Sequence, residues 1–164
     1  MEQHSPQRDE DLQTSKDQAA HAKQRQSGLC ADTIVYTMDG ELPAGDIAPG
    51  DRIITRDAGM VILRGVRRKR ITIDTVHIKA GSLGHNRPED DLIVPIGTKL
   101  LIRDWRAQAL YASKEKMVPA EDLIDGEYVT LSAPKEHDII ELIFDDPHVL
   151  YAGGMEIGCQ TLDG

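Results

Sequence analysis

The sequence predicts an all-β domain behind a flexible polar leader, and three observations carry that reading. From residue 28 onward, short runs rich in Val, Ile and Thr alternate with turns built on Gly, Pro and Asp. Helical periodicity nowhere survives beyond about two turns. A turn-rich segment recurs further along the chain, as a duplicated half-domain would make it do.

Residues 1–27 hold nine charges and six glutamines, and only Met1, Leu12, Ala19, Ala20 and Ala22 are apolar. Such a segment buries too little surface to offset the entropy of ordering, so it reads as a disordered leader with at most a transient helix over residues 18–26. The domain is then expected over residues 28–164. Its first strand is expected at 33–38, where Ile34-Val35-Tyr36-Thr37 is followed by Asp39-Gly40, a dipeptide suited to the positive φ angles of a tight hairpin. A strand at 52–55 follows the turn Pro49-Gly50-Asp51, and one at 60–66 follows Asp57-Ala58-Gly59. Further strands are expected at 71–79, 91–94, 99–103, 127–131, 138–144 and 149–152. The best short helices lie at 44–47 and 119–124, each opened by a proline whose fixed φ fits a first helical turn.

Those two helical spots belong to the repeat. Residues 42–53 align without a gap on residues 118–129 at a constant offset of 76 positions, with Pro43, Ala44, Asp46 and Gly50 falling on Pro119, Ala120, Asp122 and Gly126. Two copies are too few for a solenoid. They suggest two half-domains related by a pseudo-two-fold, against the competing explanation of chance similarity between turn-rich stretches.

The 164-residue length argues for one domain and excludes a large α/β barrel or a two-domain dehydrogenase. With 40% apolar and 29% charged residues, collagen, coiled-coil and wholly disordered readings fall away. The net charge of −9, all but −1 of it outside the leader, repels a phosphate backbone and disfavours nucleic acid as a partner. Two cysteines cannot make a disulfide framework, and no cluster has zinc-ligand spacing, so no metal and no cofactor is expected. No apolar run reaches the roughly 18 residues of a membrane span, and the N-terminus lacks a signal-peptide pattern. The chain is therefore expected to begin near Met1 and to be cytoplasmic by default. The basic run Arg64-Gly65-Val66-Arg67-Arg68-Lys69-Arg70 reads as a strand end shielded against edge pairing. Trp105, between Asp104 and Arg106 and one of only six aromatic residues, reads as core or cover, with a binding platform as the alternative. His77, His85 and His137 read as solvated, and His148, after Asp145-Asp146-Pro147, as a turn histidine paired with a carboxylate.

Several stretches, taken together, resemble a known family. They are residues 33–43, the run Ile47-Ala48-Pro49-Gly50-Asp51-Arg52-Ile53, then Ile78-Lys79-Ala80-Gly81-Ser82-Leu83-Gly84, the strand around 92–101, Val118-Pro119-Ala120-Glu121-Asp122-Leu123, and His148-Val149-Leu150-Tyr151-Ala152-Gly153-Gly154. In this order and spacing they resemble the Hint (hedgehog/intein) superfamily, in particular a bacterial branch of stand-alone Hint domains. The resemblance covers essentially everything after the leader. It implies a flattened all-β horseshoe with internal pseudo-two-fold symmetry, and it allows export without a cleavable signal peptide.

The chemistry implied by the resemblance is self-cleavage. A Cys or Ser at the first position of the domain attacks the preceding carbonyl, a Thr-x-x-His motif polarises that bond and protonates the leaving amine, and inteins end on a His-Asn pair. Aligned from Thr37-Met38-Asp39-Gly40, the chain has Gly28 at the nucleophile position, with Cys30 two residues further in. Pro95 stands for the Thr and Thr98 for the His, and a threonine hydroxyl does not titrate near neutrality. Gly158-Cys159 stands for His-Asn, His148 matches a histidine near the last strand, and Glu141 falls near an acidic or cysteine position. Cys30, Thr98 and His148 are thus the candidate catalytic remnants, and Cys30 and Cys159 could approach closely enough to bridge. Two functions follow. The first is a degenerate Hint-fold module, without splicing or cleavage, that serves a structural role or binds an unidentified protein partner. The alternative is an autoprocessing domain that cleaves its own chain near Cys30 by an N-to-S acyl shift. A generic β-domain with a small-molecule ligand is the third reading, for which no constellation is present.

Overall fold

The computed structural model describes residues 26–161. The expected leader and its transient helix lie, up to residue 25, outside the described residues. In chain order the elements are β1 (Leu29–Cys30), β2 (Ile34–Thr37), β3 (Gly40–Pro43), a 3-10 turn (Ala44–Asp46), β4 (Arg52–Thr55), β5 (Gly59–Ile62), β6 (Gly65–Ile78), β7 (Leu92–Pro95) and β8 (Lys99–Ile102). Then come a helix α1 (Trp105–Tyr111), β9 (Lys116–Pro119), a second 3-10 turn (Ala120–Leu123), β10 (Val129–Phe144), β11 (Val149–Ala152), β12 (Met155–Gly158) and β13 (Gln160–Thr161). One sheet runs β1-β10-β6-β7, with β13 parallel beside β10. The other runs β3-β2-β4-β11-β12-β8-β9, with β5 beside β4. The chain is mostly β, as the alternation of β-branched runs and turns requires. No described helix is long and apolar enough to cross a membrane.

The internal repeat is written in backbone hydrogen bonds. β2 pairs β3 with Ile34 opposite Pro43 and Thr37 opposite Gly40, while β8 pairs β9 with Lys99 opposite Pro119 and Ile102 opposite Lys116. After each hairpin a proline caps a 3-10 turn that folds back on its own half. Ala44 N donates to Thr33 O (2.8 Å) and Gly45 N to Ala31 O (2.8 Å), and likewise Ala120 N donates to Thr98 O (2.8 Å) and Glu121 N to Ile96 O (3.0 Å). Thr33 and Thr98 are therefore equivalent positions, both buried. The halves differ in their hairpin connections, a tight Met38-Asp39 turn in one and residues 103–115, which include α1, in the other.

The main departure from the sequence reading is strand length. Residues 60–66 do not form one strand, because Leu63 leaves β5 to exchange hydrogen bonds with the Gly50-Asp51 turn and buries its side chain. From Gly65 the chain continues as one 14-residue strand, joining residues expected to be two strands. The charged stretch, read as a shielded strand end, runs on within the strand because Arg67, Lys69 and Arg70 meet carboxylates on β10. Similarly β10 fuses the strands expected at 127–131 and 138–144 across Ala133-Pro134, where a register shift between Ser132 and Lys135 accommodates the proline. Helix α1 was not foreseen, since only Ala107 of its seven residues is buried and no apolar stripe marks it. Its one local signal is Asp104, whose side chain accepts from Arg106 N (3.1 Å) as an N-cap. Trp105, expected as core or cover, is 67% exposed with Arg106 over its ring.

The core fills the space between the sheets with Ile53, Leu63, Ile78, Leu83, Leu100, Ile102, Ile140, Phe144, Leu150 and Ile157. Two left-handed glycines allow the packing constraint to be separated from the conformational one. Gly126 (φ +81°) has open space around an added Cβ, whereas at Gly154 (φ +77°) that atom would lie 2.9 Å from Glu89 N. Gly126→Ala should lose about 1–2 kcal/mol from left-handed strain alone. Gly154→Ala should lose at least about 1 kcal/mol more, read as a lower urea midpoint at unchanged slope.

Candidate functional site

The segment leading into β1 is held from two sides. On one side β1 pairs antiparallel with β10, Leu29 opposite Ile140 and Cys30 opposite Ile139. Gly28 (φ +118°) lies so close to that strand that an added Cβ would sit 2.8 Å from Ile140 O and 3.1 Å from Ile139 Cγ2. Only glycine meets both demands. On the other side, the turn after β7 supplies Gly97 N, which donates to Gln26 O (2.9 Å), and the Thr98 hydroxyl, which donates to Gly28 O (2.9 Å). Thr98 is 1% exposed. It therefore offers the Gly28 carbonyl one neutral donor, with no group in that position that takes up or releases a proton near neutrality.

Gly28 also lines a small cavity with Leu29, Ile140, Glu141, Leu142, Leu150, Ile157, Gly158 and Cys159. Its volume, about 10 Å³, is at the limit for a single water. Glu141 is buried but doubly paired, accepting from Arg67 Nη1 (2.9 Å) and Lys69 Nζ (3.2 Å). A buried carboxylate held this way is an anchored structural charge. The Cys159 thiol donates to His148 O (3.1 Å) and accepts from His148 N (3.3 Å), so it faces the histidine main chain. Burial pushes this thiol up to about 11, with the hydrogen bond from His148 N working in the opposite direction.

The His148 ring turns to a carboxylate, as expected of it, but not to either neighbour in sequence. Its Nδ1 lies 2.9 Å from Asp57 Oδ2 in the β4–β5 turn, and Asp57 Oδ1 accepts from Val149 N (2.9 Å). Phe144 packs edge-on against the ring at 5.6 Å. Burial alone would raise the Asp57 carboxyl, yet the hydrogen bonds from Val149 and His148 outweigh it and hold it below the ordinary value.

Cys30 sits elsewhere. It is 7% exposed in a small cluster of its own with Ile73, Ile139 and the flanking Ile71. Burial, with the Asp32 charge adding to it, pushes its thiol up to about 11. Both cysteines are free, so the bridge that the sequence left open is not formed. Neighbouring strand residues point to opposite faces, and Cys30 faces its own cluster while Gly28 and Leu29 border the cavity shared with Cys159. Sequence reasoning missed Asp57, Arg67 and Lys69 as members of this region, because each is carried in from a distant element and no local spacing announces it. It also took His77 as solvated, whereas its Nε2 lies 2.9 Å from Asp91 Oδ2. The basic run pairs across the ribbon: Arg70 with Glu136 at 2.5 Å and Arg64 with Asp145 at 2.8 Å, besides the two contacts to Glu141. Among the described residues no group of three or more His, Cys, Asp or Glu could hold a metal ion.

Comparisons with known proteins agree with this architecture. A family model described as the Hint domain matches residues 27–160. The chain resembles the solution structure of a bacterial intein-like domain from Clostridium thermocellum at a TM-score of 0.60 and 16% identity, covering 82% of this chain and 99% of that one. It resembles a variant of the gp41-1 intein at 0.54 and 14% (82% and 99% covered), and a DnaB intein from Synechocystis sp. at 0.51 and 11% (82% and 99% covered). At these identities the likeness speaks for the fold alone. No curated protein matches the sequence.

Two measurements test the site. Iodoacetamide labelling of the folded chain should be slow at both thiols near pH 7.5 and should accelerate up to about pH 11, the value to which burial raises each. A plateau reached below pH 8 at either thiol would contradict this environment. For Asp57 the depressed carboxyl contributes stability that is present at neutral pH and lost as the pH falls through its folded value. Asp57→Asn should therefore destabilise the fold by about 1 kcal/mol at pH 7, discounted for partial exposure, and flatten the loss of stability below about pH 4.

Proposed function

The chain belongs to the Hint domain family, and from that premise we propose that it is a Hint-fold module without self-cleavage, serving a structural role or binding a protein partner. One observation carries the proposal above the others: Gly28, which the alignment from Thr37-Met38-Asp39-Gly40 puts at the nucleophile position, has no room for a Cβ. Acyl transfer to a side chain requires a nucleophile on that residue and a proton donor for the departing amine. Thr98, which bonds Gly28 O, supplies a hydrogen bond but no titrating group. Cys159 binds the main chain of His148, and the His148 ring is engaged with Asp57.

Cleavage near Cys30 would require its thiolate to attack the carbonyl of Leu29. A thiol raised to about 11 is almost wholly protonated at neutral pH. The Leu29-Cys30 peptide also lies within the β1–β10 ladder, which continues as Ala31 N donates to Asp138 O (3.0 Å). Both features favour the first reading.

Intact-mass measurement of the full chain tests it. The expected result is an unshortened chain, unchanged by incubation with dithiothreitol. A thiol-accelerated loss of roughly the first 27–29 residues, abolished in Cys30→Ala, would overturn the proposal. Gly28→Cys, which restores a thiol in name, should leave the chain intact and lower its stability by about 1–3 kcal/mol through steric conflict with β10.

A further inference from the structure

We propose that the open groove between β2 and β7 docks an extended, lysine- or arginine-bearing segment of a partner protein, an inference that rests on the partner-binding role proposed above. The groove encloses about 480 Å³. Its apolar walls are Ile34 and Tyr36 on β2 with Leu92 and Ile93 on β7. Ile34, Tyr36 and Ile93 are 38%, 37% and 40% exposed. On a half-buried strand the outward positions are normally polar, so apolar groups at these places form a surface the fold does not itself cover.

The rim of that apolar floor is acidic. Asp32, Glu41, Glu89, Asp90 and Asp91 all border the groove, against Lys135 and His137 on the β10 side. Asp91 is engaged with His77 and with Ala80 N. Asp32, Glu41, Glu89 and Asp90 form no ion pair with any described residue. Two of them act on the floor: burial first, then the Glu41 and Glu89 charges and a hydrogen bond with Glu41, push the Tyr36 phenol above its ordinary value. Tyr36 stacks on Tyr151 with ring centroids 6.3 Å apart, and the two lead into an adjoining cavity of about 220 Å³ that shares Tyr36, Glu89 and Gly154 with the groove. At the far end of that cavity Arg87 is already tied to Glu156 and to Leu101 O.

These features select one occupant. Carboxylates free of ion pairs beside the exposed Tyr36 and the half-buried Tyr151 suit a cationic side chain, which gains from both the charges and the ring faces. The same carboxylates repel nucleic acid and any other phosphate-rich surface. Most lining residues are solvent-exposed, so the groove is open along its length, unlike the enclosed sites that bury most of a small ligand. A polypeptide laid along it would alternate its side chains, setting apolar ones on Ile34 and Ile93 while basic ones reach the rim.

The test uses the full chain and fluorescence anisotropy with a labelled peptide of about eight residues that alternates lysine with leucine. Its control is the same peptide with glutamate for lysine. Saturable binding of the lysine peptide alone is expected. The triple variant Glu41→Gln, Glu89→Gln, Asp90→Asn should weaken it roughly tenfold and Tyr36→Ala several-fold. Neutralising three exposed carboxylates elsewhere, in Asp46→Asn, Glu127→Gln, Asp146→Asn, should change it less than about twofold. Equal loss in both triple variants, equal binding of both peptides, or no binding would overturn the groove as the docking site. An intact chain that fails to bind removes this inference alone, whereas a chain that severs itself removes the functional reading on which it rests.

Discussion

The long antiparallel ladder between β6 and β10 is the contact on which the rest of the molecule depends. It runs from Val129 opposite Ile78 to Ile143 opposite Gly65, and β1, β7 and β13 all attach to one of its two strands. At its far end Ile139–Phe144 is buried throughout, as a strand covered on both faces must be, and so reads as a continuous apolar run rather than an alternation. The one interruption, Glu141, is tolerated because β6 brings Arg67 and Lys69 to its two oxygens. Charge on one strand is thus matched by opposite charge on the other, and neither would be stable in a ladder without its partner.

That ladder also decides the chemistry of the segment before β1. Pairing Leu29 with Ile140 draws the chain so close to β10 that position 28 has no space for a side chain. The same approach turns Cys30 into an apolar cluster, where its thiol is stabilised in the protonated form. The second half-domain contributes Thr98, the counterpart of Thr33, whose hydroxyl fixes the Gly28 carbonyl. Gly28 also borders a cavity scarcely able to hold one water.

Much of the fold was legible in the residues themselves. β4 (Arg52–Thr55) and β11 (Val149–Ala152) lie where β-branched runs and turn residues place them, and both prolines that open the repeated segment cap 3-10 turns. These signals are local: a proline fixes its own φ, and a glycine permits its own turn, whatever surrounds them. The elements that escaped notice depend on distant partners. Arg67-Arg68-Lys69-Arg70 reads locally as a strand end, and only Asp138 and Glu141 opposite it, with Glu136 diagonal to Arg70, carry it through as one long strand; nothing near His148 names Asp57. Trp105 was misplaced for the same reason, since a large ring in a chain poor in aromatics suggests burial, and only its setting on a short surface helix under Arg106 shows otherwise.

By itself, then, the sequence determined the β architecture, the two-fold repetition and the absence of a nucleophilic side chain at position 28, because composition, turn chemistry and residue identity act over a few bonds. Tertiary structure alone decided how little room surrounds Gly28, which faces the two thiols take, which carboxylate holds His148, and that an apolar floor with an acidic rim lies between β2 and β7. Those properties arise from residues far apart in the chain, whose spacing is set only when the β6–β10 ladder and the two hairpins have closed around a common core.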